Sequence, residues 1–86
     1  YLNLSCNFLR LIKKNLFKDL SELKILDLSL NEIYSVDDFS FKYLIQLDEL
    51  YLNINPNLTK IQTNLTLIGL ENIKRIYISP DLLRSS

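Results

Sequence analysis

The chain has 86 residues, 48% of them hydrophobic and 10% aromatic, and its ten basic residues balance its ten acidic ones. This composition predicts a single globular unit or a piece of one. Zero formal net charge does not favour binding of nucleic acid, whose protein partners usually carry clustered basic residues. No apolar run approaches the roughly 18 residues of a membrane span, so we expect no direct membrane contact from this segment.

A repeat of 24 residues organises the chain from its first residues. The same apolar frame occurs three times, as Leu2-x-Leu4-x-x-Asn7, Leu26-x-Leu28-x-x-Asn31 and Leu50-x-Leu52-x-x-Asn55. A fourth and looser copy, Ile76-x-Ile78-x-x-Asp81, follows at an offset of 26. The apolar alternation has the period of a strand, and residues of equal phase occupy equivalent positions. Each copy is therefore predicted to contribute one short strand to a stacked parallel sheet.

The segments that follow the strands also carry apolar residues in phase. The matching residues are Leu9 with Ile33, Ile12 with Val36, Phe17 with Phe41, and Leu20 with Leu44 and Leu70. Extra residues in the third copy shift its equivalents and put Leu58 and Ile61 in the later positions. Asp37 or Asp38 is predicted to cap a short helical turn over residues 39–44, and residues 13–20 form a similar turn with a weaker cap. The third segment, rich in Asn and Thr, is predicted to be irregular, with either Leu65 or Leu67 in the phenylalanine position.

The full pattern, L-x-x-L-x-L-x-x-N-x-L, resembles the leucine-rich repeat family. Its 24-residue unit with Phe17 and Phe41 is similar to the subclass common in extracellular proteins, such as Toll-like receptor ectodomains and small matrix proteoglycans. The resemblance implies an α/β fold, a right-handed solenoid or horseshoe segment, with short parallel strands on the concave face and short helical or irregular convex segments. We expect about 3.5 repeats, namely 1–22 (partial), 23–46, 47–72 and 73–86 (degenerate or terminal), flanked by neighbouring repeats of the same parent chain.

The three asparagines are predicted to form a structural ladder. An amide side chain both donates and accepts hydrogen bonds, so Asn7, Asn31 and Asn55 can satisfy backbone groups where the chain bends away from the strands. An ionised carboxylate cannot donate, and the ladder is expected to end at Asp81. Cys6, which lies next to this turn, is predicted to be a small apolar filler.

Strand residues that point away from the core form two columns on the predicted concave face. One column is Tyr1, Ile25, Glu49 and Arg75, and the other is Asn3, Asp27, Tyr51 and Tyr77. Arg and aromatic residues are enriched at interface hot spots. The candidate partner-binding residues are Asp27, Glu49, Tyr51, Arg75 and Tyr77. Cross-strand pairs also stabilise sheets that bind nothing, so a purely structural role is the alternative.

Three asparagines begin N-x-Ser/Thr sequons and are candidate N-glycosylation sites: Asn3, Asn57 and Asn64. A glycan on Asn3 would cover part of the concave face, whereas the other two lie in predicted loop and convex segments. The alternative is that an asparagine-rich composition creates sequons by accident.

The residues needed for most catalytic sites are scarce in this sequence. It has no His, one Cys and one Gly, which excludes His-based triads, a Cys-based metal cluster and a glycine-rich phosphate cradle. We therefore expect no enzyme, no catalytic residue, no metal and no cofactor. The resemblance implies a protein-binding module that recognises a protein ligand through its concave sheet, in an extracellular or cell-surface receptor or adhesion protein. The alternative is an intracellular, cytoplasmic scaffold or regulatory subunit built from the same repeats.

Overall fold

A computed structural model describes residues 1–58 and 63–78 of the chain. In chain order, the elements in these ranges are β1 (Leu2–Asn3), β2 (Leu11–Ile12), β3 (Ile25–Asp27), β4 (Ser35–Val36), β5 (Glu49–Tyr51), α1 (Thr63–Thr66) and β6 (Arg75–Tyr77). Among the described residues, no helix has the length and apolar character needed to cross a membrane.

The predicted parallel sheet is confirmed. It has four strands in the order β1-β3-β5-β6, and all three pairings are parallel. Leu26 of β3 pairs with Leu50, 24 residues on, and Leu50 pairs with Ile76, 26 residues on, so the longer third unit is absorbed outside the strands. Backbone bonds of 2.8 Å extend each pairing beyond the strand ends, for example from Leu28 N to Tyr51 O.

The apolar positions of the repeat form one continuous core between the strands and the return segments. Its buried residues are Ile12, Phe17, Leu26, Leu28, Ile33, Phe41, Leu44, Leu47, Leu50, Leu52, Leu58 and Leu70. The two phenylalanines of equal phase, Phe17 and Phe41, stack with their ring centroids 6.0 Å apart. No single strand of three residues can bury its apolar face alone, so stability comes from stacking one repeat on the next.

The first two return segments differ from the helical turns predicted for them. Residues 13–20 and 39–44 form hydrogen-bonded turns, and a second, two-stranded parallel sheet that the sequence did not predict pairs β2 with β4. Phe39 has a φ of 65°, which is incompatible with a right-handed helical turn. The Asp37 carboxylate accepts a bond of 3.3 Å from Lys14 N in the preceding repeat, so it links neighbouring repeats and does not cap its own segment.

The third return segment is also different, since part of it is helical where an irregular chain was predicted. Helix α1 lies at residues 63–66. A helix rises about 1.5 Å per residue, whereas a strand rises about 3.3 Å. A helical turn therefore fits more residues into the same distance and accommodates the extra residues of the 26-residue unit. Leu67 packs against the core, whereas the Leu65 carbonyl accepts a bond of 3.0 Å from Phe39 N. The position predicted for Ile61 lies outside the described residues.

Candidate functional site

The asparagine that ends each frame is bonded to the backbone around it, and Asn31 shows the arrangement most completely. Its side-chain oxygen accepts bonds from Asn7 N (3.1 Å) and Leu9 N (3.2 Å) of the preceding repeat. Its side-chain nitrogen donates to Leu4 O (2.9 Å) and to two carbonyls of its own repeat, Leu28 O and Ser29 O (3.1 Å each). One buried amide thus satisfies five backbone groups in two repeats.

The other two asparagines occupy equivalent positions. Asn55 is buried; its oxygen accepts from Ile33 N at 3.2 Å, and its nitrogen donates to Leu28 O at 3.1 Å in the preceding repeat. Asn7 is exposed and donates only within its own repeat, to the carbonyls of Leu4 and Ser5. The expected end of the ladder at Asp81 lies outside the described residues.

The turn that places these asparagines requires a left-handed residue just before each one. Cys6, Leu30 and Ile54 have φ angles of 59°, 57° and 58°, and all three side chains are exposed. The prediction that Cys6 is a small apolar filler is therefore wrong, because the left-handed backbone directs this position to solvent. Such a conformation costs a non-glycine residue about 1–2 kcal/mol. Bonds from Cys6 N and Leu30 N to carbonyls of the following repeat, both 3.2 Å, offset part of that cost.

The five candidate partner-binding residues all lie on the four-stranded sheet, and the strand register places them in two columns. In the strand register, Glu49 lies opposite Arg75. Tyr51 lies opposite Asp27 on one side and Tyr77 on the other. The register brings Glu49 and Arg75 together, with Arg75 Nη1 3.8 Å from Glu49 Oε2. Because the arginine side chain is largely exposed, this ion pair contributes little to stability.

A stacked pair of tyrosines joins the last two strands of this sheet, β5 and β6. The rings of Tyr51 and Tyr77 lie almost parallel, with an angle of 5° between their planes and 4.4 Å between their centroids. The Tyr51 hydroxyl donates a hydrogen bond of 2.7 Å to Glu49 Oε1. Four of the five candidate residues thus form one connected group, the tyrosine cluster: Glu49, Tyr51, Arg75 and Tyr77.

Asp27 lies beside the tyrosine cluster but bonds within its own strand end. Its Oδ1 accepts hydrogen bonds from Ser29 N (3.0 Å) and Ser29 Oγ (2.6 Å). The first repeat has the same turn, in which Asn3 Oδ1 accepts from Ser5 N (2.9 Å) and Ser5 Oγ (2.6 Å). This turn was not predicted from the sequence, although both copies carry its signal, an Asn or Asp followed two residues later by Ser at equal phase.

Contact with Glu49 changes the acidity of Tyr51. The hydrogen bond to the Glu49 carboxylate, followed by desolvation and then by the Glu49 charge, raises the pKa of Tyr51 from 10.0 to about 12. All three effects favour the neutral phenol over the phenolate. The Tyr51 hydroxyl therefore stays a protonated donor to Glu49 up to a higher pH than an ordinary tyrosine would.

We expect this shift to appear as a late step in a spectrophotometric titration of the five tyrosines. The pKa of Tyr51 is higher in the folded protein than in the unfolded chain. The stability that the neutral Tyr51 side chain contributes is therefore complete below pH 10.0 and is lost as the pH rises through about 12. Phenolate absorbance should therefore show one group ionising near pH 12, and Tyr51→Phe should remove that step. Tyr34→Phe, at an exposed position away from the cluster, is the control and should leave the late step in place.

The three candidate glycosylation residues have different surroundings. Asn3 is exposed on β1, in the column of Asp27, and only its side-chain oxygen takes part in the hydrogen bonds of the turn with Ser5. Asn57 is exposed in the loop that follows β5. Asn64 belongs to α1, and its side chain lies outside the described part of the structure.

Comparison with known proteins agrees with this geometry. The family model described as "Leucine rich repeat" matches residues 1–56. The chain is also similar to epiphycan from Homo sapiens, with 41% identity over 68 residues, which is 77% of this chain and 21% of epiphycan. The chain thus spans well under two thirds of the length of this curated relative, and no solved structure matches it significantly. The family model matches more than half of the residues of this chain, and the strands, core and asparagine turns have the expected repeat. The chain therefore belongs to the leucine-rich repeat family.

Proposed function

We propose that this chain is a non-catalytic recognition module of an extracellular or cell-surface protein, and that it binds a protein ligand through the four-stranded sheet. The observation that carries the proposal is the tyrosine cluster. Its aromatic rings and guanidinium are held on a rigid sheet by stacking at 4.4 Å and by the hydrogen bond and ion pair to Glu49. Tyr and Arg side chains fixed in this way lose little further conformational entropy when a partner binds.

The residues of the cluster remain accessible to a partner. Tyr77 is 39% exposed and Arg75 is exposed, while Tyr51 and Glu49 are half-buried. Flat, half-buried aromatic surface surrounded by charged groups is typical of the centre of protein–protein interfaces. The described part of the sheet therefore offers a preorganised and accessible surface to a protein partner.

Two observations support an extracellular setting. The 24-residue unit with Phe17 and Phe41, which epiphycan matches in part, resembles the subclass common in extracellular leucine-rich repeat proteins. Asn3 and Asn57, which begin two of the three sequons, have exposed side chains. At Asn3, the nitrogen that would carry a glycan is not used by the turn with Ser5, so a glycan could be attached without breaking these hydrogen bonds. We therefore propose that Asn57 and Asn64 are glycosylated. A glycan on Asn3 is compatible with the turn, but it would cover the sheet beside Asp27 and compete with the ligand.

The experiment that tests the recognition surface compares two double variants of the full chain as baits for secreted and cell-surface proteins. Tyr51→Ala with Tyr77→Ala should lose the partner that the wild type captures. Phe8→Ala with Tyr34→Ala removes two exposed aromatic side chains that lie off the four-stranded sheet, and it should retain that partner. Equal capture by both variants, with unchanged far-ultraviolet circular dichroism, would contradict a role for the cluster.

An intracellular scaffold or regulatory subunit is the second candidate, and the exposed thiol of Cys6 favours it. Exposed free thiols persist most readily in the reducing conditions of the cytosol. Glycopeptide analysis of the protein from its native cells separates the two candidates. Glycans on Asn57 or Asn64 would support the extracellular setting, whereas unmodified sequons in a cytosolic fraction would support the scaffold.

A further inference from the structure

The surface next to the tyrosine cluster contains one acidic group that forms no ion pair with any residue of the described part of the chain. Three carboxylates lie on or directly before the strands of the four-stranded sheet: Asp27, Asp48 and Glu49. Two of them form ion pairs, Asp48 with Lys74 at 4.0 Å and Glu49 with Arg75 at 3.8 Å. Within residues 1–58 and 63–78, Asp27 forms none, and its hydrogen bonds to Ser29 use Oδ1 and leave Oδ2 available.

Among the described residues, the aromatic ring beside this carboxylate stacks against another ring on one face only, and the second face is called the open face below. Tyr77, on the β6 side, covers one face of Tyr51. The other face is directed toward β3, where the register neighbour of Tyr51 is the much shorter Asp27. The outer part of the Tyr51 ring therefore extends beyond the side chain next to it. The neighbour of Asp27 on its far side is the uncharged Asn3, so no cation approaches from β1.

A negative charge beside an open aromatic face matches one kind of side chain. An arginine guanidinium can stack on the ring while it pairs with a carboxylate, and lysine does so less well because its ammonium is not planar. We propose that the protein partner inserts a basic side chain, arginine in preference to lysine, between Asp27 and the open face of Tyr51. This inference rests on the proposed recognition function and specifies the chemistry of the partner.

Substitution of Asp27 can test the charge without disturbing the turn. Asp27→Asn keeps the Oδ1 acceptor for Ser29, and the chain already uses this combination in the first repeat, where Asn3 accepts the same two bonds from Ser5. Asp38→Asn is the matched control, since it removes one exposed carboxylate away from the sheet. Tyr51→Leu removes the aromatic face and keeps an apolar strand residue.

The probes are tetra-arginine, tetra-lysine and tetra-glutamate peptides, titrated against the full chain. We expect the wild type to bind tetra-arginine more tightly than tetra-lysine and not to bind tetra-glutamate. Asp27→Asn should weaken tetra-arginine binding about fivefold, the effect of losing one partly exposed ion pair, while Asp38→Asn should leave it unchanged. Tyr51→Leu should weaken tetra-arginine binding more than tetra-lysine binding.

Other outcomes would overturn the inference. Equal binding of tetra-arginine by Asp27→Asn and wild type, or equal weakening by Asp38→Asn, would show that no basic side chain is recognised at this position. If the tyrosine double variant still loses a captured partner in that case, recognition by the sheet stands and only the basic character of the partner is wrong. If Asp27→Asn does not weaken peptide binding and the tyrosine double variant does not lose the captured partner, the proposed recognition surface is wrong as well.

Discussion

Replacing Gly69 by alanine is expected to lower the free energy of unfolding by about 4 kcal/mol, among the largest effects of any single substitution in a small domain. Gly69 has a φ of 96°, which side-chain-bearing residues rarely adopt. A Cβ at this position would also meet the backbone of Lys42, closest at its Cα and at 2.5 Å from its carbonyl oxygen. Because the clash is with the backbone of the preceding repeat, no side-chain rotation relieves it, and the two repeats have to move apart.

Urea denaturation of the full chain measures this effect, with Glu71→Ala as the control. Glu71 is exposed two residues further along the same loop, and its replacement should change stability by less than about 0.5 kcal/mol. A Gly69→Ala variant as stable as the wild type would show that the third repeat does not stack on the second as described.

Replacing Asn31 by alanine is expected to cost about 3 kcal/mol. The substitution leaves two backbone N–H groups and three carbonyls without the side-chain partner that they share. Each unsatisfied buried group costs about 1–3 kcal/mol, but water can reach some of these groups once the side chain is gone, so the total is smaller than their sum. The loss should appear as a lower denaturation midpoint in urea.

Asn7→Ala provides the matched control for this second substitution, because it removes the same side chain from the same place in the first repeat. Asn7 is exposed, and its side chain donates to only two carbonyls, both in its own repeat. We expect a loss of about 1 kcal/mol or less. Similar losses for Asn7→Ala and Asn31→Ala would contradict the view that the buried amide stabilises the stack by joining two repeats.

The strands and the core could be predicted from the sequence because the 24-residue period alone determines which residues form strands and which are buried. No knowledge of individual side-chain contacts is needed. Leu26 and Leu50 have equal phase, so each must point to the same side of the sheet, and a register of 24 follows directly. The same reasoning placed Tyr51 beside Tyr77 and Glu49 beside Arg75, even across the longer third unit. What it could not supply is the open face of Tyr51, since that depends on which ring face Tyr77 covers.

The turns were harder to predict because backbone conformation, and not hydrophobicity, decides where their side chains point. Leu30 and Ile54 are apolar, and Cys6, which occupies the same position of the repeat, was predicted to be a small apolar filler. A left-handed φ instead turns all three positions outward. In the return segments, capping residues and composition favoured a helix over residues 39–44, but the left-handed Phe39 and its bond to Leu65 O prevent one there.

Recognition through the four-stranded sheet can be measured as the affinity of the captured and purified partner for three forms of the full chain. These forms are the wild type, Tyr51→Ala with Tyr77→Ala, and Phe8→Ala with Tyr34→Ala. Removal of two aromatic hot-spot residues costs about 2 kcal/mol, so the first variant should bind about 30-fold more weakly while the second binds like the wild type. Wild-type affinity in the Tyr51–Tyr77 variant, or an equal loss in both, would contradict recognition through the four-stranded sheet.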